Sequence, residues 1–128
     1  MYHKQLVLVG ALQRAGVRLL AGTDTPAPYV FPGFSLHEEL ALLVQAGLSP
    51  LAALQSATRN PAQYLGLLDR LGTVEQGKIA DLALLDANPL DEISNTKKIA
   101  AVVVGGTLFT QEALQTLLAH VEAAASKM

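Results

Sequence analysis

A short apolar run, Val17 to Ala21, ends at Gly22 and reads as a buried strand. Residues 2–15 before it have helical periodicity. Leu6, Val9, Leu12 and Gln13 lie near one face, and Gly16 follows as a C-terminal stop. Helix followed by a short buried strand is an α/β alternation, and that alternation favours a parallel sheet.

The rest of the composition suits such a layered fold. The 128 residues fit one domain, and 51% of them are apolar, so a sizeable core is available. Aromatics are 5% with no Trp, which leaves the packing to Ala, Leu and Val. The formal net charge is −2, and only Lys97 and Lys98 are adjacent basic residues. No electrostatic footprint for nucleic acid or for an anionic membrane surface results. The absence of cysteine excludes disulfides, a zinc ribbon and a thiolate nucleophile, whereas His, Asp or Glu could still hold a metal. The run from Gln5 to Leu20 is interrupted by Gln13, Arg14 and Arg18, well short of the roughly 20 apolar residues of a membrane span. Met-Tyr-His-Lys-Gln at the start does not read as a signal peptide, so a cytoplasmic location is the default expectation.

Residues 22–34 form a loop with Gly22, Pro26, Pro28, Pro32 and Gly33. It is about twice the usual connection length, and long loops in compact domains tend to be functional. Ser35 with Glu38 three residues on is a capping box that opens a helix with Leu36, Leu40, Leu43 and Val44 on one face, ending at Gly47. Ser49-Pro50 starts the next helix, and Asn60-Pro61 with Gln63 repeats the device for a third that ends near Gly66. After Leu68 the pattern changes. Gly72-Thr-Val, Gly77-Lys-Ile and Ala80 to Asp86 read as short strands. Ile99 to Val104 reads as a β-branched strand, with Gly105-Gly106 as a hairpin into Thr107-Leu-Phe. A last helix is expected from Thr110 to about Ala125. The chain thus divides into an α/β part (1–67), a β-rich part (68–109) and a terminal helix (110–128).

Few residues carry chemistry. Asp24 follows the apolar strand, and Asp before Pro-rich sequence can simply cap a turn. His37 admits a substrate contact or a solvated or capping histidine. His37-Glu-Glu-Leu-Ala41 begins like His-Glu-x-x-His but has Ala where the second His belongs. His3 and His120 have no evident carboxylate partner. Gly72 and Gly77 with Lys78 spell most of a phosphate loop. Ile79 stands where Ser or Thr is needed, and a strand follows instead of a helix, so the nucleotide reading fails. Gly77 is better explained as a hairpin residue and Lys78 as an exposed turn charge. Asp81, flanked by apolar residues in a strand, is expected to make a local hydrogen bond at an edge. Arg59 and Asn60 read as structural.

Two stretches carry a family likeness. One is Leu20-Ala-Gly-Thr-Asp24-Thr-Pro. The other is Ser35-Leu-His-Glu-Glu-Leu, then Ala46-Gly-Leu-Ser-Pro-Leu-Ala-Ala-Leu, Ala57-Thr-Arg-Asn-Pro-Ala and Leu71-Gly-Thr-Val-Glu-Gln-Gly-Lys-Ile-Ala-Asp-Leu-Ala-Leu-Leu-Asp. In order and spacing they resemble the C-terminal end of the amidohydrolase superfamily, over roughly residues 5–108. Within it they are most similar to the imidazolonepropionase and prolidase-like (Xaa-Pro dipeptidase) branch.

The resemblance implies an α/β fold that is a piece of a (β/α)8 barrel, its last strand and flanking helices, plus part of a small β-sandwich. Residues 17–22 would be that last strand and Asp24 would stand at its C-terminal mouth, where such barrels keep their catalytic groups. A divalent metal, zinc by the resemblance, would lower the pKa of a bound water to about 7. Asp24 would touch the metal, orient the water and pass its proton to the leaving amine. His37 would face the substrate. A tight zinc site takes three or four protein ligands, and the family's His-x-His pair has no counterpart here. The isolated chain is therefore expected to bind no metal and to be inactive, as a fragment of an enzyme that hydrolyses C–N bonds in an amide, a cyclic amide or an Xaa-Pro dipeptide. Exposed apolar faces of such a piece would drive self-association. The alternative is a non-catalytic binding module derived from the same fold. A separate chain supplying the His-rich half is a third arrangement.

Overall fold

A computed structural model describes residues 2–25 and 27–126. The chain opens with helix α1 (Tyr2–Arg14), followed after an irregular segment and a loop by α2 (Ser35–Gln45), α3 (Pro50–Ala57) and α4 (Arg59–Tyr64). Strand β1 (Leu82–Leu85), a 3₁₀ turn (Ile93–Lys97), strands β2 (Ile99–Val104) and β3 (Thr107–Thr110) and helix α5 (Gln111–Ala125) complete it.

Three of the helices stop where glycines stand. At the end of α1 the Gly16 amide donates to Gln13 O and the Val17 amide to Leu12 O, both at 3.0 Å. This double bond pattern requires a left-handed residue, and Gly16 has φ +81°. Gly47 and Gly66 close α2 and α4 by the same pair of bonds. Ser49 caps α3 by accepting from the Ala52 amide at 3.2 Å, and Thr110 caps α5 by accepting from Ala113.

The core is small. Leu40, Ala53 and Ile93 are its buried centre, with Ala41, Leu43, Val44, Leu54 and Ala57 packed around them. It therefore joins α2 and α3 to the 3₁₀ turn. Helix α1 approaches closely through Gly10, where an added Cβ would stand 2.2 Å from Ala46 O.

The sheet is antiparallel, ordered β1-β2-β3. Leu82 pairs with Val103 and Val102 with Phe109, and a bulge interrupts β1 between Leu84 and Leu85. The hairpin at Gly105-Gly106 and the expected edge bond of Asp81 are both present: Asp81 Oδ1 accepts from the Gly105 amide at 2.7 Å.

Four expectations need correction. The parallel sheet is not formed among the described residues. Residues 17–21 take no regular secondary structure and have no ladder partner, and Val17 and Leu20 are 45% and 44% exposed. A strand is defined by its neighbours, and this one has none. The capping box at Ser35 is not used. Phe34 already has helical angles (φ −91°, ψ −48°), so Ser35 lies inside the helix and its Oγ accepts from the Phe31 amide at 2.9 Å. Asn60 is not a cap either, because α4 begins at Arg59. Finally, the stretches 72–74 and 77–79 form no strand, and Lys78 is not an exposed charge. Its side chain is 10% exposed, hydrogen-bonds Thr73 Oγ1 and pairs with Glu75 at 3.4 Å.

Candidate active site

Three helices fix the approach to Asp24. From α4, Asn60 Nδ2 donates to Leu19 O at 3.0 Å. From α3, Ser56 O accepts from the Ala21 amide at 2.9 Å. From α2, Glu39 Oε1 accepts from the Gly22 amide at 2.8 Å. A segment without strand neighbours thus has these backbone groups satisfied by helices that come later in the chain.

Asp24 then turns the chain. Its φ is +54°, a left-handed conformation that short polar residues tolerate better than most. Its carbonyl accepts from the Ala27 amide at 3.0 Å, and the hydroxyls of Thr23 and Thr25 flank it, 2.9 Å apart. The main chain closes this turn. The carboxylate is exposed and makes no hydrogen bond to the described residues. The described residues therefore do not use the side chain as a cap.

His37 reaches from α2 to the 3₁₀ turn. It is half-buried, and its Nδ1 lies 3.0 Å from Thr96 Oγ1. Thr96 gives its single hydroxyl proton to Ile93 O at 2.9 Å. Thr96 must therefore accept, which places the His37 proton on Nδ1 and leaves Nε2 as an acceptor. Burial, and then the positive charge of Lys97, hold the His37 pKa below its ordinary value. The ring is thus a neutral link from α2 to the 3₁₀ turn.

Sequence reasoning missed Glu39 and gave Asn60 the wrong structural role. A signal for Glu39 was present: it shares the helical phase of Leu36 and Leu43, so a carboxylate interrupts the apolar stripe. Its Oε2 is buried without a partner among the described residues.

A metal is not accommodated by this set alone. Among the described residues no three His, Asp or Glu side chains come together. The Thr73, Glu75 and Lys78 cluster uses its charges internally, and the Thr73 hydroxyl followed by the Lys78 charge draws the Glu75 pKa down. No helix among the described residues is long and apolar enough to cross a membrane.

Residues 4–109 match the family model described as the amidohydrolase family. The chain belongs to the amidohydrolase family. Among curated amidohydrolase relatives, an adenine deaminase of Ligilactobacillus salivarius is 36% identical over 69 residues, covering 54% of this chain and 12% of the relative. An imidazolonepropionase of Sphingopyxis alaskensis is 35% identical over 98 residues, covering 73% and 23%. A solved structure of an Xaa-Pro dipeptidase with bound methionine superposes with a TM-score of 0.74 at 31% identity, covering 82% of this chain and 25% of that one. The likeness to imidazolonepropionase and prolidase-like proteins is thus borne out. This amidohydrolase chain spans a quarter or less of each of these three proteins.

Proposed function

We propose that this chain is the C-terminal portion of a metal-dependent amidohydrolase that hydrolyses a C–N bond in an amide, a cyclic amide or an Xaa-Pro dipeptide. The observation that carries it is the Asp24 turn: a free carboxylate, on backbone tied to three helices, in a chain of this family. A carboxylate so placed takes a proton from the attacking water as its oxygen bonds to the carbonyl carbon. It returns that proton to the amine as the C–N bond breaks. His37 on α2 contributes a substrate contact, and Asp24 is also the residue that contacts a metal, zinc first among divalent ions.

The remaining ligands lie outside residues 1–128, so the chain by itself is inactive and its uncovered apolar faces self-associate. The test is metal analysis of the purified chain with and without added Zn²⁺, together with turnover on a panel of dipeptides and cyclic amides. No stoichiometric metal and no turnover are expected. In the full-length enzyme Asp24→Asn is expected to lower kcat by about 10²–10⁴-fold. Full activity of that variant would sink the assignment.

A second reading is a binding module that kept this part of the fold without catalysis. A His-x-His sequence in the reading frame upstream of Met1 would decide against it.

A further inference from the structure

We propose that Glu39 is a positioning residue for Asp24, acting through the Gly22 amide. The proposal rests on the reading of Asp24 as the proton-handling group. The Glu39 Oε1 to Gly22 N distance of 2.8 Å is that of a charge-assisted hydrogen bond. Gly22 stands two residues before Asp24, closer than any other tether from the helices.

The choice of helix makes this bond specific. The Ala21 amide is held by Ser56 O of α3, and the next amide, Gly22, by Glu39 of α2. Two successive amides are thus held by two different helices. Without Glu39 the remaining tethers, Ser56 and Asn60, come from α3 and α4 alone. Asp24 needs the tethers because its φ of +54° is a sparsely populated state that persists only where surroundings over-determine it.

The second oxygen sharpens the test. Glu39 Oε2 is buried and meets no donor among the described residues. Replacing that oxygen by an amide nitrogen removes no hydrogen bond, so Glu39→Gln keeps the one acceptor that works. Glu39→Leu removes it at similar volume.

The experiment is ¹⁵N,¹³C NMR on the full chain and these variants. It reads hydrogen exchange at the Gly22 amide and the one-bond Cα–Hα coupling of Asp24, which reports positive φ. In Glu39→Leu, exchange at Gly22 is expected to quicken by about 10- to 100-fold, as for loss of a hydrogen bond to a charged group. The Asp24 coupling should lose its positive-φ value, while the β2 and α5 amides keep their rates. Glu39→Gln keeps a neutral acceptor, so it should quicken Gly22 exchange less than Glu39→Leu and leave Asp24 at positive φ. Unchanged Gly22 exchange in Glu39→Leu overturns the proposal. So does a Gly22 change that leaves Asp24 unmoved, or a Glu39→Gln variant as altered as Glu39→Leu. Where Glu39→Leu does not fold, Glu39→Asp takes its place: it draws the carboxylate back by one methylene and should show the same two losses. These readouts involve neither metal nor turnover. The proposal can therefore fail while the hydrolase reading stands, and an active Asp24→Asn enzyme would remove that reading while leaving the geometry intact.

Discussion

His37 shows how one side chain couples position to pH. Its pKa is held below the ordinary value of about 6.5, so the folded chain binds fewer protons there than the unfolded chain. The stability it contributes is present above that unfolded value and is lost as pH falls through the folded one. The urea midpoint should therefore drop as pH falls below the unfolded value of about 6.5, and His37→Gln should flatten that part of the profile; an unchanged profile would show that Thr96 does not hold a neutral ring. Gly72 is a second sensitive residue. It has φ +92°, and an added Cβ would meet Ala62 Cβ at 2.5 Å. Gly72→Ala should destabilise by about 1–3 kcal/mol in denaturant unfolding, from overpacking and backbone strain together. At this scale the position of Asp24 after the apolar run could be read because it is local. Glu39 and Asn60 were not, because their bonds reach back 17 and 41 residues, and spacing along the chain does not disclose such partners.

Whether an element could be read from the sequence depended on where its partners lie. Helix α3 carries its own start signal, Ser49 before Pro50, and the cap forms as expected. Ser49→Ala should lower stability by about 1 kcal/mol, measured as a shift of the unfolding midpoint at constant slope. The Gly105-Gly106 hairpin and α5 were legible for the same reason. The run 17–21 has the composition of a strand, yet being a strand is a relation to other backbone, and the described residues offer none. The Ser35 capping box failed by one position, because Phe34 already follows helical angles. Packing between elements leaves a weaker trace in sequence. Gly10 lets α1 lie against the end of α2, and Gly10→Ala would put a methyl 2.2 Å from Ala46 O. It should cost about 1–3 kcal/mol and detach α1 before the sheet melts, which residue-resolved hydrogen exchange would show.

The molecule as a whole exposes more surface than its mass requires. Its accessible area is 9190 Å² at 13.5 kDa, where a compact monomer would show about 6500 Å². The excess exceeds the roughly 800 Å² per partner of a standard interface. Val7, Leu8, Val17 and Leu20 at one end of the chain, and Leu117, Leu118 and Val121 on α5, belong to it. Light scattering after size exclusion should give a mass that rises with concentration, and a monodisperse monomer at all concentrations would contradict this. The tethers around Asp24 also fix an order of events during synthesis. Leu19 emerges from the ribosome 41 residues ahead of Asn60. At about 5–20 residues per second, the segment leading to Asp24 waits about 2–8 s before its last tether exists. During that interval an apolar stretch with free backbone groups stands open to chaperones, and to any other strand that reaches it first.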